Sequence, residues 1–354
     1  MAYISFKPID YYNSTLYTGN ATTNAITGVG FAPAFTWFKS RSNTSSPNIF
    51  DVLRGTYSVA TSDTSAQYNA GSDGFTSLDS DGFTLNGSGG GGSLNVSGYT
   101  YTGMSWKGGT TSGITTNGST TITPSSYSFD ATSKCSVIRY TGNGTAGAKL
   151  AHGLGVAPEF ILYKRTDGTD AWGAYHHSVG TSATDSAGYK MCLNTNAARN
   201  DDDAFMDDTA PDATNITLGY TGILNTNTGT YNAWCFAGVR GASKFGSFTG
   251  NGNVDGSFIY TGFRPAFLMI KCSSATENWY IFNSKTAGYN FANYSIKAND
   301  TDAQATSTYL ELEANGFKIR NAAGDINANA AKFIYMAFAN NPLIGSGGTP
   351  ALAR

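Results

Sequence analysis

The side chains best equipped for chemistry are few and scattered. There are three histidines: His152 stands alone, and His176 and His177 are neighbours. Adjacent residues on a strand point to opposite faces, so that pair cannot easily close on one ion, and no zinc set of Cys and His is spaced for a tetrahedral site. The one acidic cluster runs from Asp201 to Asp208. Calcium takes about six to eight oxygens, and Asp201, Asp203 and Asp207 are the candidate ligands. The run lacks the spaced Asp-x-Asp-x-Asp-Gly pattern with a closing Glu, so a solvated loop is the favoured reading, and no cofactor is expected. Only four glutamates occur. Glycoside hydrolysis needs two facing carboxylates. Glu311 and Glu313 lie two apart and would share one strand face, which is also how a solvated strand looks. No Gly-x-Ser-x-Gly elbow is present. The glycine run from Gly87 to Ser93 lacks the Gly-Lys-Ser/Thr ending of a phosphate loop and reads as a loop tip. Cys135, Cys192, Cys235 and Cys272 have no metal or redox spacing, and three sit in apolar runs where a thiol behaves as a small hydrophobe. No catalytic set emerges, and the chain is expected not to be an enzyme.

Aromatic side chains are the remaining lead. Trp172, Tyr175, Trp279 and Tyr280 fall in corresponding strand-like segments. Flat rings stack on sugar faces, so these four are the candidate glycan or receptor contacts. Filling a core is the competing use, and it is favoured for the two tryptophans. Tyr175 and Tyr280 are the better surface candidates.

The elements that would position these residues come from a stretch used three times. It reads GVGFAPAFTWFK at Gly28–Lys39, GLGVAPEFILYK at Gly153–Lys164 and YTGFRPAFLMIK at Tyr260–Lys271. The proline makes a rigid turn, and the β-branched and aromatic run after it enters a core as a strand. The prolines lie 125 residues apart from Pro33 to Pro158 and 107 from Pro158 to Pro265, a domain-sized period too long for a solenoid. Around this stretch recur a Tyr/Phe-Thr-Gly-Asn opening, a strand bearing Trp or Phe, and an aromatic closing strand. In the first closing strand Tyr101, Gly103 and Ser105 fall on one face and Thr102, Met104 and Trp106 on the other, a period of two. The expected fold is all-β: three tandem homologous antiparallel β-sandwich domains of jelly-roll or lectin-like type. The expected limits are a lead-in at 1–13, domains at 14–109, 134–242 and 243–342, a Gly/Ser/Thr linker at 110–133, and a polar tail at 343–354.

Composition agrees. Charged residues are 13% of the chain and Gly numbers 43, which suits turns and strands rather than helices. The net charge of −2 gives no pull toward nucleic acid or anionic membrane. The N-terminus has no basic region followed by an apolar one, and no apolar run reaches membrane-spanning length, so no secretion signal and no membrane insertion are expected.

The segments YISFKPIDYYNSTLYTGN, GVGFAPAFTWFKSRS, SDGFTL and KFIYMAFANNP resemble uncharacterised virion proteins of marine tailed phages. In that family such domains occur in tandem and are described only as a domain of unknown function. The resemblance spans essentially the whole chain. It implies a virion location after synthesis in the host cytoplasm, with other virion proteins as partners. It also aligns Asp51-Val52-Leu53-Arg54-Gly55 with the family's Asp-x-x-Arg-Gly segment, where a buried ion pair is expected. Low charge, many Thr/Ser/Asn/Gly side chains and tandem rigid domains suit a tail fibre or adhesin touching a host glycan. The alternatives are a capsid decoration protein anchored through Phe6, Tyr11 and Tyr12, and a surface-polysaccharide depolymerase. A homo-oligomer is expected, with a trimer among the options.

Overall fold

The computed structural model describes residues 7–71, 74–87, 93–286 and 291–341. Each repeated stretch forms a core strand: Pro33–Ser40, Phe160–Arg165 and Phe267–Cys272. Each core strand pairs with a closing strand, Thr100–Lys107, Thr230–Phe236 or Lys332–Phe338. Each closing strand pairs on its other side with an opening strand, Tyr12–Thr18, Cys135–Thr141 or Ser243–Thr249. The register is the same each time. Phe35 faces Trp106, Phe160 faces Phe236, and Phe267 faces Phe338. Among the described residues the strand ladders are antiparallel, and the isolated bridge of Ile122 with Leu150 is parallel. Six-, seven- and eight-stranded sheets result, built from successive stretches of the chain.

Alternation sorts each core strand between two hydrophobic compartments. Ile161 and Tyr163 face a compartment local to the second sheet, closed by the pair Ala148–Ala151 and Asn215–Leu218. Leu268 and Ile270 face one in the third, closed by the outer strands Ala305–Glu313 and Gly316–Ile319. Phe38 faces one in the first, closed by Asn24–Thr27, Gly74–Asp79 and Gly82–Asn86. The opposite faces, carrying Phe35 and Trp37, Phe160 and Leu162, and Phe267 and Met269, meet in one common core. At its centre Trp106 packs 4.9 Å from Phe35, 6.2 Å from Phe236, 5.3 Å from Phe267 and 5.7 Å from Phe338, ring centre to ring centre. The expectation of three separate sandwiches therefore changes in one respect. Each sheet has its own outer layer, but the three share a single inner core. The core strands are buried on both faces, which is why they read as continuous apolar runs.

The stretch expected as a linker is ordered. Ser126–Asp130 is an edge strand of the second sheet, paired with Cys135–Thr141. Thr110 bridges Phe129, and the buried Ile122 bridges Leu150. Its Ser/Thr/Gly richness hid three anchoring side chains, Ile122, Tyr127 and Phe129. The first opening strand begins at Tyr12, inside the expected lead-in. Phe6, the loop tip at 88–92 and the tail at 343–354 lie outside the described residues.

Candidate functional site

The three sheets meet at three seams, and the seams are stitched by residues at matching positions. The lysine one residue before the end of each core strand is fully buried. Lys39 Nζ donates to Ser45 O at 2.7 Å and to Thr301 O of the third sheet's region at 2.9 Å. Lys164 Nζ donates to Arg165 O at 2.8 Å, Asp170 O at 2.9 Å and Thr64 O of the first at 3.1 Å. Lys271 Nζ donates to Cys272 O and Glu277 O, both at 2.7 Å, and to Asn196 O of the second at 3.2 Å. Each lysine thus ties its own sheet to the preceding one, and the first is tied to the third, so the contacts close a ring. Burial pushes all three lysines down from 10.5 to about 8. At neutral pH they remain ammonium ions, and main-chain carbonyls are the acceptors that make their burial tolerable.

A second stitch uses the position facing the core-strand phenylalanine. Asp51, His176 and Asn283 oppose Phe35, Phe160 and Phe267. Each accepts a main-chain N–H two residues on, from Leu53, Ser178 or Lys285. Each also reaches the following sheet's closing strand. Asp51 accepts from Asn232 Nδ2 at 3.2 Å, His176 Nε2 lies 3.1 Å from Tyr335 O, and Asn283 Nδ2 donates to Thr102 Oγ1 at 3.3 Å. The Asp51–Arg54 ion pair is present at 2.7 Å with both side chains fully buried, and Arg54 also lies over the Trp234 ring. Burial drives His176 down to about 3, so it is a neutral hydrogen-bonding group.

A third repeated group went unread in the sequence. Asn95, Asn225 and Asn327 are wholly buried and hold the Tyr/Phe-Thr-Gly-Asn openings. Their Oδ1 atoms accept from the N–H of Asn20, Asn143 and Asn251 at 3.1, 2.8 and 3.0 Å. Their Nδ2 atoms donate to loop carbonyls such as Thr22 O, Thr145 O and Asn253 O. The signal was available: Leu94-Asn95, Leu224-Asn225 and Ile326-Asn327 each precede a closing strand by the same short interval. The opening glycines are required by close approach. A Cβ on Gly19, Gly142 or Gly250 would lie 2.2, 2.3 or 2.2 Å from a main-chain oxygen.

The aromatic candidates are placed inside the protein. Trp172 belongs to the common core, stacked 5.3 Å from Trp234, with its Nε1 donating to Ala60 O of the first sheet at 2.8 Å. Trp279 belongs there too, and its Nε1 donates to Cys192 O of the second at 3.2 Å. Tyr175 and Tyr280, expected as surface rings, are buried in the outer compartments of their sheets. The correction has a simple cause. Both sheet faces are covered, so alternation on these strands selects one compartment or another and never solvent. Tyr12 is likewise a core residue, stacked 5.5 Å from Phe338 and unavailable as an external anchor. Tyr11 is half-buried, with Lys107 Nζ 4.8 Å over its ring.

The acidic run forms a short helix, Asp203–Met206, whose buried Phe205 and Met206 point inward while Asp201, Asp203 and Asp207 are exposed. Among the described residues no three His, Cys, Asp or Glu side chains converge as for a metal. Asp202 pairs with Lys190. Glu311 and Glu313 alternate with buried Leu310 and Leu312, and Glu311 is held by Arg320 Nη2 at 2.7 Å. Cys135, Cys235 and Cys272 are buried free thiols, and Cys192 is half-buried.

Exposed rings occur elsewhere. On the outward face of the third sheet's outer strands, Phe258, Tyr260, Phe291 and Tyr294 are between 36% and 56% exposed. Register places Phe258 beside Lys318, Lys318 beside Glu311, and Glu311 beside Phe291. Asp255 joins this row through Lys318 at 2.9 Å and Arg320 at 3.0 Å. Two aromatic edges thus flank an ion-paired centre, about 14 Å apart at three strand spacings.

These features define an all-β protein of three interlocked antiparallel sheets around one core. The chain belongs to the family described as a domain of unknown function, DUF7483, whose model matches residues 7–342. No curated protein and no solved structure matches it.

Proposed function

We propose that this protein is a non-enzymatic structural component of a tailed-phage particle, acting as a tail-fibre or adhesin body that meets the host surface. The observation that carries the host-contact reading is the outward aromatic face of the third sheet, Phe258, Tyr260 and Phe291 around the Glu311–Lys318–Arg320 centre. Rings flanking paired charges suit the apolar faces and hydroxyl groups of a surface glycan. The interlocked core supports the structural part of the reading, because a body without independent domains holds its outer faces at fixed angles. The resemblance of the sequence to phage virion proteins supports the location.

Density for the protein in a reconstruction of the purified particle tests the location. Density at the distal end of the tail is the expected result. Density on the capsid lattice overturns the adhesin reading and supports decoration instead. Binding of the purified protein to a glycan array tests the contact, with Phe258→Ala and Phe291→Ala each expected to weaken any signal about tenfold or more. Unchanged binding by both variants removes this face from the proposal.

A further inference from the structure

We infer that the ring of sheets is a clasp: it opens at the seam between the first and third sheets while the other two seams stay shut. The three seams occupy matching positions, so each serves as a control for the others. At the seam of the second sheet with the first, Trp172 donates its indole N–H to Ala60 O. At the seam of the third with the second, Trp279 does the same to Cys192 O. The matching residue at the seam of the first with the third is Pro47. The match is fixed by the main chain, since Thr61, Leu193 and Ala298 donate their N–H groups to the carbonyls of Pro47, Trp172 and Trp279. Proline has no side-chain donor and far less ring area to bury. This seam is thus closed without the indole that spans the others.

Beyond the core rings that Tyr12 and Trp106 share with Phe267 and Phe338, what spans it is polar, including the buried Thr61 Oγ1 that donates to Ala298 O at 2.6 Å. Ser14 Oγ donates to Asn283 Oδ1 at 3.1 Å, Lys285 Nζ to Asn13 Oδ1 at 2.9 Å, and Arg41 Nε to Gln304 Oε1 at 2.7 Å. The last two pairs are only part-buried, so water competes for them on opening. The seam of the first and second sheets instead holds the wholly buried Asp51–Arg54 pair against Asn232 and Trp234. The chain also runs directly from the first sheet to the second and from the second to the third, whereas the first and third are joined only through the second. Opening there requires no strand within any sheet to unpair.

Amide hydrogen exchange on the full chain at neutral pH tests the clasp, because each seam carries main-chain hydrogen bonds that only its own opening would break. At the first–third seam these are Ser45 N–H to Thr301 O and Gln304 N–H to Arg41 O. At the others they are Gln67 N–H to Thr166 O, Arg199 N–H to Ser273 O and Glu277 N–H to Asn196 O. All five residues are half-buried. After correction for intrinsic rates, Ser45 and Gln304 are expected to exchange at least about tenfold faster than Gln67, Arg199 and Glu277. Exchange of Ser45 and Gln304 at rates equal to or slower than the other three overturns the inference. Pro47→Trp is a second arm: it is expected to slow Ser45 and Gln304 selectively. Slowing of all five together would show that the variant acts on global stability, and would count against a separate first–third opening.

Discussion

At the scale of single residues, the side chains that matter are buried polar groups with fixed partners. Asn225 is the clearest. Its Nδ2 serves Thr145 O at 2.9 Å and Gly219 O at 3.0 Å while its Oδ1 holds the Asn143 N–H. Asn225→Ala leaves those main-chain groups without partners, and the expected cost is at least about 2 kcal/mol, read from the urea midpoint. His176 makes a different prediction. Its folded pKa of about 3 lies below the ordinary 6.5, so between those values the unfolded chain binds more protons. Stability from this group is complete above pH 6.5 and is lost as the pH falls toward 3. His152, lowered to about 4 by burial, acts in the same direction. Because Asn283 fills the matching place in the third sheet, His176→Asn keeps a group able to reach the closing strand and removes the titration. That variant is expected to lose on the order of 2 kcal/mol less than the parent between pH 7 and pH 4.5. An unchanged acid dependence of Tm would show that His176 is not the titrating group.

At the scale of elements, the three lysine-bearing core strands explain how strands from different sheets are locked together. The sign of their titration is opposite in consequence to ordinary surface lysines. A folded pKa of about 8 against 10.5 means that unfolding takes up protons between those values, so this contribution to stability rises with pH across that window. Buried tyrosines such as Tyr17 and Tyr140, raised by burial, reverse the trend above the ordinary tyrosine value of 10. The expected record is a Tm that gains from the lysines between pH 8 and about 9.5, with Lys164→Met flattening the slope. A parallel slope in parent and variant would sink the assignment. The opening glycines belong to this scale as well. Gly142→Ala drives a methyl group to 2.3 Å from Thr226 O, and a loss of about 3 kcal/mol is expected in denaturant melts.

At the scale of the whole molecule, the shared core decides behaviour. Among the described residues, thirty buried ones drawn from all three sheets form one cluster, so removing any sheet exposes the inner faces of the other two. Unfolding is therefore expected as one calorimetric transition, with local opening at a seam as a lesser event beneath it. Two or three resolved transitions would show that the sheets are independent after all. The same fusion bears on the proposed role. Outer faces tied to a common core keep their relative orientation while the first–third seam is shut, which suits a body that presents one contact surface.

What the sequence determined by itself was local and periodic. The Gly-x-x-Pro-x-Phe stretch specified a turn and a strand three times, because proline restricts its own backbone and alternation sets the faces. The all-β class followed from scarce charge, abundant Gly and strands of period two. The pairing of Asp51 with Arg54 was legible only through the resemblance of that segment to the family's Asp-x-x-Arg-Gly motif. The fates of Tyr175, Tyr280 and Tyr12 were not legible. Period two says that neighbouring side chains point to opposite faces, but whether the second face meets water depends on what another part of the chain lays over it. Only the tertiary structure decided that both faces are covered, that Lys39 reaches a carbonyl 262 residues away, and that Phe258, Tyr260, Phe291 and Tyr294 are exposed on the third sheet's outer strands. Those facts depend on contacts between distant segments, which local spacing does not encode.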